Sequence, residues 1–455
     1  MLGNLRGAAA RAGYLHKLGV TALWLTPVFT SDQDEQSYHG YATTDYYAID
    51  PRLGTVADYK MLSASLAQWG IKLIMDIVVN HCGTRHAWLT DAPGSQWFNS
   101  WDWKPEPTNY RPGVVADIHS SEYDRRRTVE GWFDITMADL NMADPLVRTY
   151  MAEAAIWWVE TAGLAGIRVD TFPYADQAGT RWWVERILRE YPDLGMVGET
   201  WVGSPTLISA WQADVPLLMD FPLQEAMCRA FVEDFGYGCG ALRLYDTIAN
   251  DRAYADPNAL MTFGDNHDTG RLLTRLGGDV GALRMALTFL MTTRGIPQIL
   301  YGTEVMMDGD SDRGHAEIRR DFPGGWASDE EDWFGVAESD DDARLSGRDA
   351  ERRETFRLMG KLTGLRKRSE AIARGRLIHF LPTDNVYVYF RTSGREAVMT
   401  ILNLSRKNVT LNVERFAEIT GETLSGVDAL SGKKYSKALR IRINARQAKV
   451  IELEA

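Results

Sequence analysis

The sequence predicts an α/β barrel followed by an antiparallel β-domain. Three observations carry that prediction. Short apolar runs alternate with helix-spaced segments over the first ~350 residues, the pattern of parallel strands and crossover helices. Polar residues gather just where several of those runs stop. Beyond residue 375 the period changes to short alternating strands separated by turn residues. The bulk chemistry agrees: of 455 residues, 45% are hydrophobic and 25% charged, a globular mixture that excludes global disorder. No apolar run approaches the ~18 residues that span a bilayer, so no membrane helix is expected. The net charge of −12, from 50 basic and 62 acidic residues, disfavours nucleic acid as a partner. Three cysteines are too few for a disulfide framework. The 15 Trp, 18 Tyr and 15 Phe fill a core, and the Trp excess also suits sugar faces, which stack on flat rings.

Residues 6–18 read as a helix, with Leu15 and Leu18 on one apolar side and Gly19 as its stop. Residues 21–26 are a near-continuous apolar run, as in a strand buried on both faces. A helix over 57–69 and a strand over 72–79 follow. Residues 82–140 break the rhythm. They are rich in Trp, Pro, Asp and Arg, too long for a plain loop, and predict an inserted subdomain. Helix 144–162, strand 166–169, helix 178–190 and strand 195–198 restore the alternation. Further strands fall at 216–220, 259–263 and 298–301, with helices near 223–236 and 279–293. Residues 303–349 form a second excursion whose acidic run, 338–342, reads as a solvated loop. Helix 351–370 ends this part. The expected organisation is therefore barrel over 1–81 and 141–374, a B subdomain inserted at 82–140, and a C-terminal β-sandwich domain over 375–455.

In a barrel of this kind the C-terminal strand ends form the active face. Asp76, Asn80 and His81 lie at one such end, Arg168 and Asp170 at the next, Glu199 at a third, and Asn266, His267 and Asp268 after the run at 259–263. Any one of these taken alone reads first as a helix cap or a surface charge after a strand. Their joint placement at successive strand ends points to chemistry. Paired carboxylates suit glycosyl transfer, where one acts ionised and the other protonated. Arg168 stands two residues before Asp170, which in a strand puts both side chains on one face. Other candidates divide between structure and ligand. Cys82 reads as a small buried residue and His39 as a loop histidine or a ligand. Trp97, Trp101 and Trp103 read as a subdomain core or a sugar platform. A zinc site built on His81 and His267 lacks a close-spaced His pair.

DIVVNH (76–81), GIRVDTF (166–172), GETW (198–201) and GDNHD (264–268) resemble the four principal motifs of the α-amylase family of glycoside hydrolases. Residues 19–27 and 295–304 are similar to two further ones. MADLN (137–141) resembles the segment marking the neopullulanase and cyclomaltodextrinase branch, with Ala138 where that pattern usually has proline. DFPGGW (321–326) and Pro173-Tyr174 look like a periplasmic maltodextrin-degrading subset.

The resemblance implies Asp170 as nucleophile, Glu199 as general acid and base, and Asp268 as the group binding the sugar O2 and O3 hydroxyls. It implies that Arg168 orients Asp170, that Asp76 supports the site from below, and that His81 and His267 hydrogen-bond the sugar at the cleavage subsite. Tyr41 would stack on that sugar and Arg271 would brace Asp268. Phe172, Tyr174 and Trp201 would line the acceptor side. Asn80 matches a calcium ligand in many α-amylases; no organic cofactor is implied. The expected function is a retaining hydrolase of α-1,4 links in maltooligosaccharides, cyclodextrins or related α-glucans. A transglycosylase of the same family and a non-catalytic sugar-binding homologue are the alternatives. A (β/α)8 TIM barrel needs eight strands. Only seven are counted here, and Asp170 follows the third where the family places its nucleophile after the fourth. The expectation is a barrel lacking its first strand, with no signal to read and with periplasm and cytoplasm both open as compartments.

Overall fold

The computed structural model describes residues 3–34, 37–99, 106–324 and 347–454. Trp101, Trp103 and the acidic run at 338–342 lie outside them. The chain divides into two compact units, Met1–Met219 with Ala253–Ala255, and Asp220–Arg252 with Asp256–Ala455.

The first unit is built on five parallel strands in chain order: β1 (Ala22–Leu25), β2 (Lys72–Ile77), β3 (Gly166–Val169), β4 (Gly195–Gly198) and β5 (Leu217–Met219). Their registers pair Ala22 with Lys72, Ile74 with Gly166, Gly166 with Gly195 and Val197 with Leu217. Every residue of β3 is buried, as its unbroken apolar run requires. The crossover helices have legible ends. Helix Val56–Gln68 opens on a capping box between Thr55 and Asp58. Helix Pro145–Ala162 starts with the Asp144 cap and a proline in its first turn, and ends on the left-handed Gly163. The predicted helix over 6–18 is two helices, Leu5–Ala10 and Ala12–Leu18, broken at Arg11, which leaves the helical region (φ −104°, ψ 10°).

The inserted segment has its own short ladder. Strand His81–Gly83 pairs antiparallel with Met137–Asp139, matching His81 with Asp139. Trp97 is buried and meets Trp88 edge-on at 4.9 Å, so it belongs to the packing beneath this segment. Helix Glu122–Val129 lies between, capped by Ser121.

The second unit contributes two further parallel strands, β6 (Leu260–Phe263) and β7 (Ile296–Gln298), paired Met261 to Ile296. The described residues thus form seven parallel strands in all. β7 lies earlier than the expected 298–301. The apolar run there has the composition of a strand, but its carbonyls serve a turn: Thr303 N–H donates to Leu300 O and the Arg271 guanidinium to Tyr301 O. Helix Phe221–Ala230 also stops short of 236. Beyond helix Gly347–Arg368, six antiparallel strands run in the order Arg376–Thr383, Val386–Ser393, Glu396–Asn403, Gln447–Leu453, Leu424–Asp428, Lys434–Ala438. A second pair, Val409–Asn412 with Arg440–Ile443, encloses a core that includes Phe390, Met399, Ile401, Phe416 and Ile443. Among the described residues no helix is long and apolar enough to cross a membrane.

One close approach fixes the helix that follows β3. Helix Gln177–Glu190 is capped by Asp176, which accepts from Gly179 N–H at 2.7 Å, and a Cβ at Gly179 would lie 2.0 Å from the Met142 carbonyl oxygen. Gly179→Ala should therefore lose about 1–3 kcal/mol of stability, the usual cost of overpacking. Denaturant unfolding followed by far-UV circular dichroism measures it.

Candidate active site

The first unit places Arg168 among three carboxylates. Its side chain is completely buried. Nη1 lies 2.9 Å from Asp76 Oδ1 and 2.6 Å from Asp170 Oδ1, and Nη2 lies 2.6 Å from Glu199 Oε1. Strand register produces this arrangement, because Asp76 on β2 is the direct partner of Arg168 on β3. Glu199 follows β4, where Arg168 pairs with Val197, two residues earlier and so on the same face. Glu199 Oε2 also accepts the Thr171 N–H at 3.0 Å.

Asp76 is the most enclosed of the three acids, at 1% exposure. Tyr41 Oη and Trp24 Nε1 each donate to its Oδ2 at 3.1 Å. Burial and the charges of Asp170 and Glu199 push its pKa up to about 7, against the lowering pull of Arg168. The guanidinium also lies 5.2 Å from the Trp24 ring and 5.7 Å from the Tyr41 ring. Sequence reasoning missed Trp24, whose only signal is a polar-edged ring near the end of an apolar strand. Tyr41 is held through its hydroxyl, and His39 accepts from the Tyr41 N–H at 2.9 Å, a loop-fixing role.

His81 is buried, and that burial draws its pKa down to about 4, so the ring is neutral. It stacks on Phe133 of the inserted segment, with centroids 5.3 Å apart and planes 19° apart. Tyr174 meets the same Phe133 edge-on. Trp201 is half exposed. Phe172 differs from its expected place on the acceptor side. It is 3% exposed and packs so closely on Gly198 that a Cβ there would lie 2.9 Å from its ring. Phe172 therefore supports the Glu199 strand from inside.

The second unit carries the other strand-end group. Asn266 Oδ1 accepts the N–H groups of Asp268 and Thr269, both at 3.0 Å, which shapes the turn. His267 Nε2 lies 3.0 Å from Asp268 Oδ2. The expected brace, Arg271, is committed elsewhere: it donates to Ile318 O at 2.8 Å and Tyr301 O at 2.5 Å and lies over the Tyr301 ring. The residue that holds Asp268 is Arg319, with Nη2 2.7 Å from Asp268 Oδ1 and Nε donating to His267 O at 2.7 Å. Nothing periodic marks Arg319, which sits in an irregular segment just before DFPGGW; residues 325 and 326 of that motif lie outside the described residues.

Among the described residues no three His, Cys, Asp or Glu side chains gather as a metal site. Asn80 Oδ1 and Asp139 Oδ1, however, are buried oxygens that accept no close hydrogen bond, though the Asn80 and Asp139 side chains interact with each other. Asp139 Oδ2 accepts from Asn99 Nδ2 at 2.8 Å, and burial raises the Asp139 pKa well above the carboxylate range. Two such oxygens, one of them a carboxylate, are the donor type a hard cation takes.

Parallel strands ending in a shared guanidinium and paired carboxylates define an enzyme scaffold, and carboxylate pairs are the equipment of glycoside hydrolases. The chain belongs to the α-amylase family: residues 1–375 match the α-amylase catalytic domain, and residues 377–452 match the cyclo-malto-dextrinase C-terminal domain. Among its relatives, a cyclomaltodextrinase of Geobacillus thermopakistaniensis is 29% identical over 444 residues, 95% of this chain and 67% of that protein. Neopullulanase 2 of Thermoactinomyces vulgaris is 29% identical over 460 residues, 98% of this chain and 69% of that protein. The crystal structure of an α-amylase from Geobacillus thermoleovorans, complexed with acarbose, superposes with a TM-score of 0.82 at 24% identity, covering 99% of this chain and 92% of that one. That likeness identifies the fold as the α-amylase-family barrel with a C-terminal antiparallel β-domain.

Arg319 and Arg271 should separate on substitution. Arg319→Ala, at a side chain 15% exposed, should lower kcat/KM on a maltooligosaccharide by about 10²-fold with little change in melting temperature. Arg271→Ala should chiefly lower the melting temperature, because it takes the guanidinium from the buried Ile318 carbonyl and from the Tyr301 carbonyl. Kinetics and thermal melting of both variants check this.

Proposed function

We propose that this chain is a retaining glycoside hydrolase that cleaves α-1,4-glucosidic bonds of maltooligosaccharides, cyclodextrins or related α-glucans by double displacement. The observation that carries the reading is Arg168, buried between Asp170 and Glu199 at 2.6 Å from each. The names of the relatives, cyclomaltodextrinase and neopullulanase, support the substrate class. Asp170, held ionised and oriented by the guanidinium, attacks the anomeric carbon and forms a β-glucosyl ester. The departing glycosidic oxygen takes its proton from Glu199 in its acid form. Glu199, now a carboxylate, removes a proton from water. The water oxygen displaces Asp170 from the opposite face, and the product keeps the α configuration. Asp268 and His267 are assigned the sugar hydroxyls, with His81 as a neutral hydrogen-bonding ring and Tyr41 as the stacking face. The half-exposed Trp201, two residues beyond Glu199, favours a second reading in which a sugar acceptor stacks there and replaces water, giving transglycosylation.

Asn80 and Asp139 would hold calcium, with the chemistry of a structural cation that ties the inserted ladder to the end of β2. Every bond made or broken in the reaction is handled by side chains.

Asp170→Asn, which still folds, should lower turnover by several orders of magnitude, about the 10⁴ or more that loss of a triad nucleophile shows. With the wild-type chain, NMR in the first minutes should show α-anomeric product; an initial β-anomer would defeat the double-displacement assignment. For calcium, melting in millimolar CaCl2 against a chelator should differ by the equivalent of about 2–3 kcal/mol if the ion is at ~100 Kd. Asp139→Asn should abolish the difference, and an identical response from both forms would remove the ion from this pair.

A further inference from the structure

The half-buried Phe133 belongs to the irregular stretch between helix Glu122–Val129 and strand Met137–Asp139, where no sequence pattern singles it out. Its neighbours are specific. One face lies parallel to His81, at 5.3 Å and 19°. Tyr174 meets it edge-on at 5.3 Å and 84°, and Tyr110 edge-on at 5.7 Å and 81°. The Tyr110 hydroxyl donates to the Phe133 carbonyl oxygen at 2.6 Å. Tyr110 also has φ +54°, a left-handed conformation that an aromatic residue adopts only when its surroundings impose it.

The backbone beneath is equally constrained. Gly131 is buried, and a Cβ there would lie 2.4 Å from Arg127 O and 2.6 Å from Thr108 Cα. The Trp132 backbone N–H donates to Glu106 O, the Trp132 carbonyl oxygen accepts from Thr108 N–H, and the indole N–H donates to Asn99 O at 3.0 Å. Phe133 therefore projects from a fixed frame, and the strained Tyr110 closes the outer side of its ring.

We propose that Phe133 is a positioning residue: it carries the inserted segment onto His81 and Tyr174 and fixes the aromatic wall against which a glucan ring seats. The inference rests on the glucan-hydrolase reading above. Phe133 takes no part in bond making. It acts through His81, whose ring plane it sets, and through Tyr174, whose swing it limits. Tyr110 acts one step further out, by holding the Phe133 backbone and edge.

The test uses the full chain with maltotetraose as substrate and acarbose as a non-hydrolysed probe in calorimetry. Phe133→Ala should raise KM and the acarbose Kd by about 2- to 12-fold, the range expected for loss of aromatic pair contacts, with a smaller change in kcat. Phe133→Tyr, which keeps the ring, should return both to within about twofold of wild type. Tyr110→Phe, at an exposed ring, should fold normally and raise KM by about twofold, the low end of the same range. Circular dichroism and melting accompany each variant. If Phe133→Ala does not fold, Phe133→Leu and Tyr110→Phe decide. Unchanged KM and Kd in folded variants, a loss of kcat alone, or no recovery in Phe133→Tyr would overturn the assignment. A wild-type chain that neither hydrolyses maltotetraose nor binds acarbose would instead remove the functional reading, and this inference with it.

Discussion

Arg168 is the charge on which the strand ends depend. A guanidinium at zero exposure is costly unless acceptors surround it; here three carboxylates do, and each of them would be costly in turn without it. Removing one partner of such a set typically costs about 3–5 kcal/mol, because the remaining charge is left buried and unpaired. Three acids against one base also leave a surplus of negative charge when all are ionised. Asp76, the acid with least access to solvent, has its pKa lifted to about 7 by burial and then by its two acidic neighbours. Asp76 therefore carries its charge less readily than an isolated carboxylate would, and the guanidinium is what keeps the surplus of acids together.

The position of these groups is a matter of backbone pairing as much as of side-chain attraction. Asp76 and Arg168 are ladder partners, and Val197, two residues before Glu199, is the partner of Arg168 on the other side. A slip of one residue on either strand would turn the acid to the opposite face. The apolar residues between them, Ile77, Val169 and Met196, are buried at 2% exposure or less and pin that register. The hydrophobic core and the carboxylate cluster around Arg168 are in this sense one specification.

This explains what could be read from the sequence and what could not. Strands 166–169 and 195–198 appear where the apolar runs put them, because buried parallel strands leave a continuous apolar signature. Asp170, Glu199 and Arg168 were legible for the same reason: polar residues at the end of an apolar run are conspicuous. β7 was misplaced because Ile299 and Leu300 continue the composition of a strand while the backbone there turns to satisfy Arg271 and Thr303. Arg271 and Arg319 are indistinguishable by residue type. Only the fold reveals that the first is consumed by the carbonyls of Ile318 and Tyr301 and the second reaches Asp268. The resemblance put Phe172 on the acceptor side, whereas here it is buried against Gly198.

The residues missed share a property. Trp24, Arg319 and Phe133 act on other side chains, and such second contacts follow no period. Phe133 and Asp139 both come from the inserted segment, and both bear on the end of β2: Phe133 through the His81 ring, Asp139 as the ladder partner of His81. The barrel strands supply the charges whose geometry the chemistry demands, so they tolerate little change. The insertion supplies an aromatic wall, and walls can be rebuilt residue by residue without moving a carboxylate. The proposed wall residue Phe133 thus comes from the stretch where sequence periodicity is weakest.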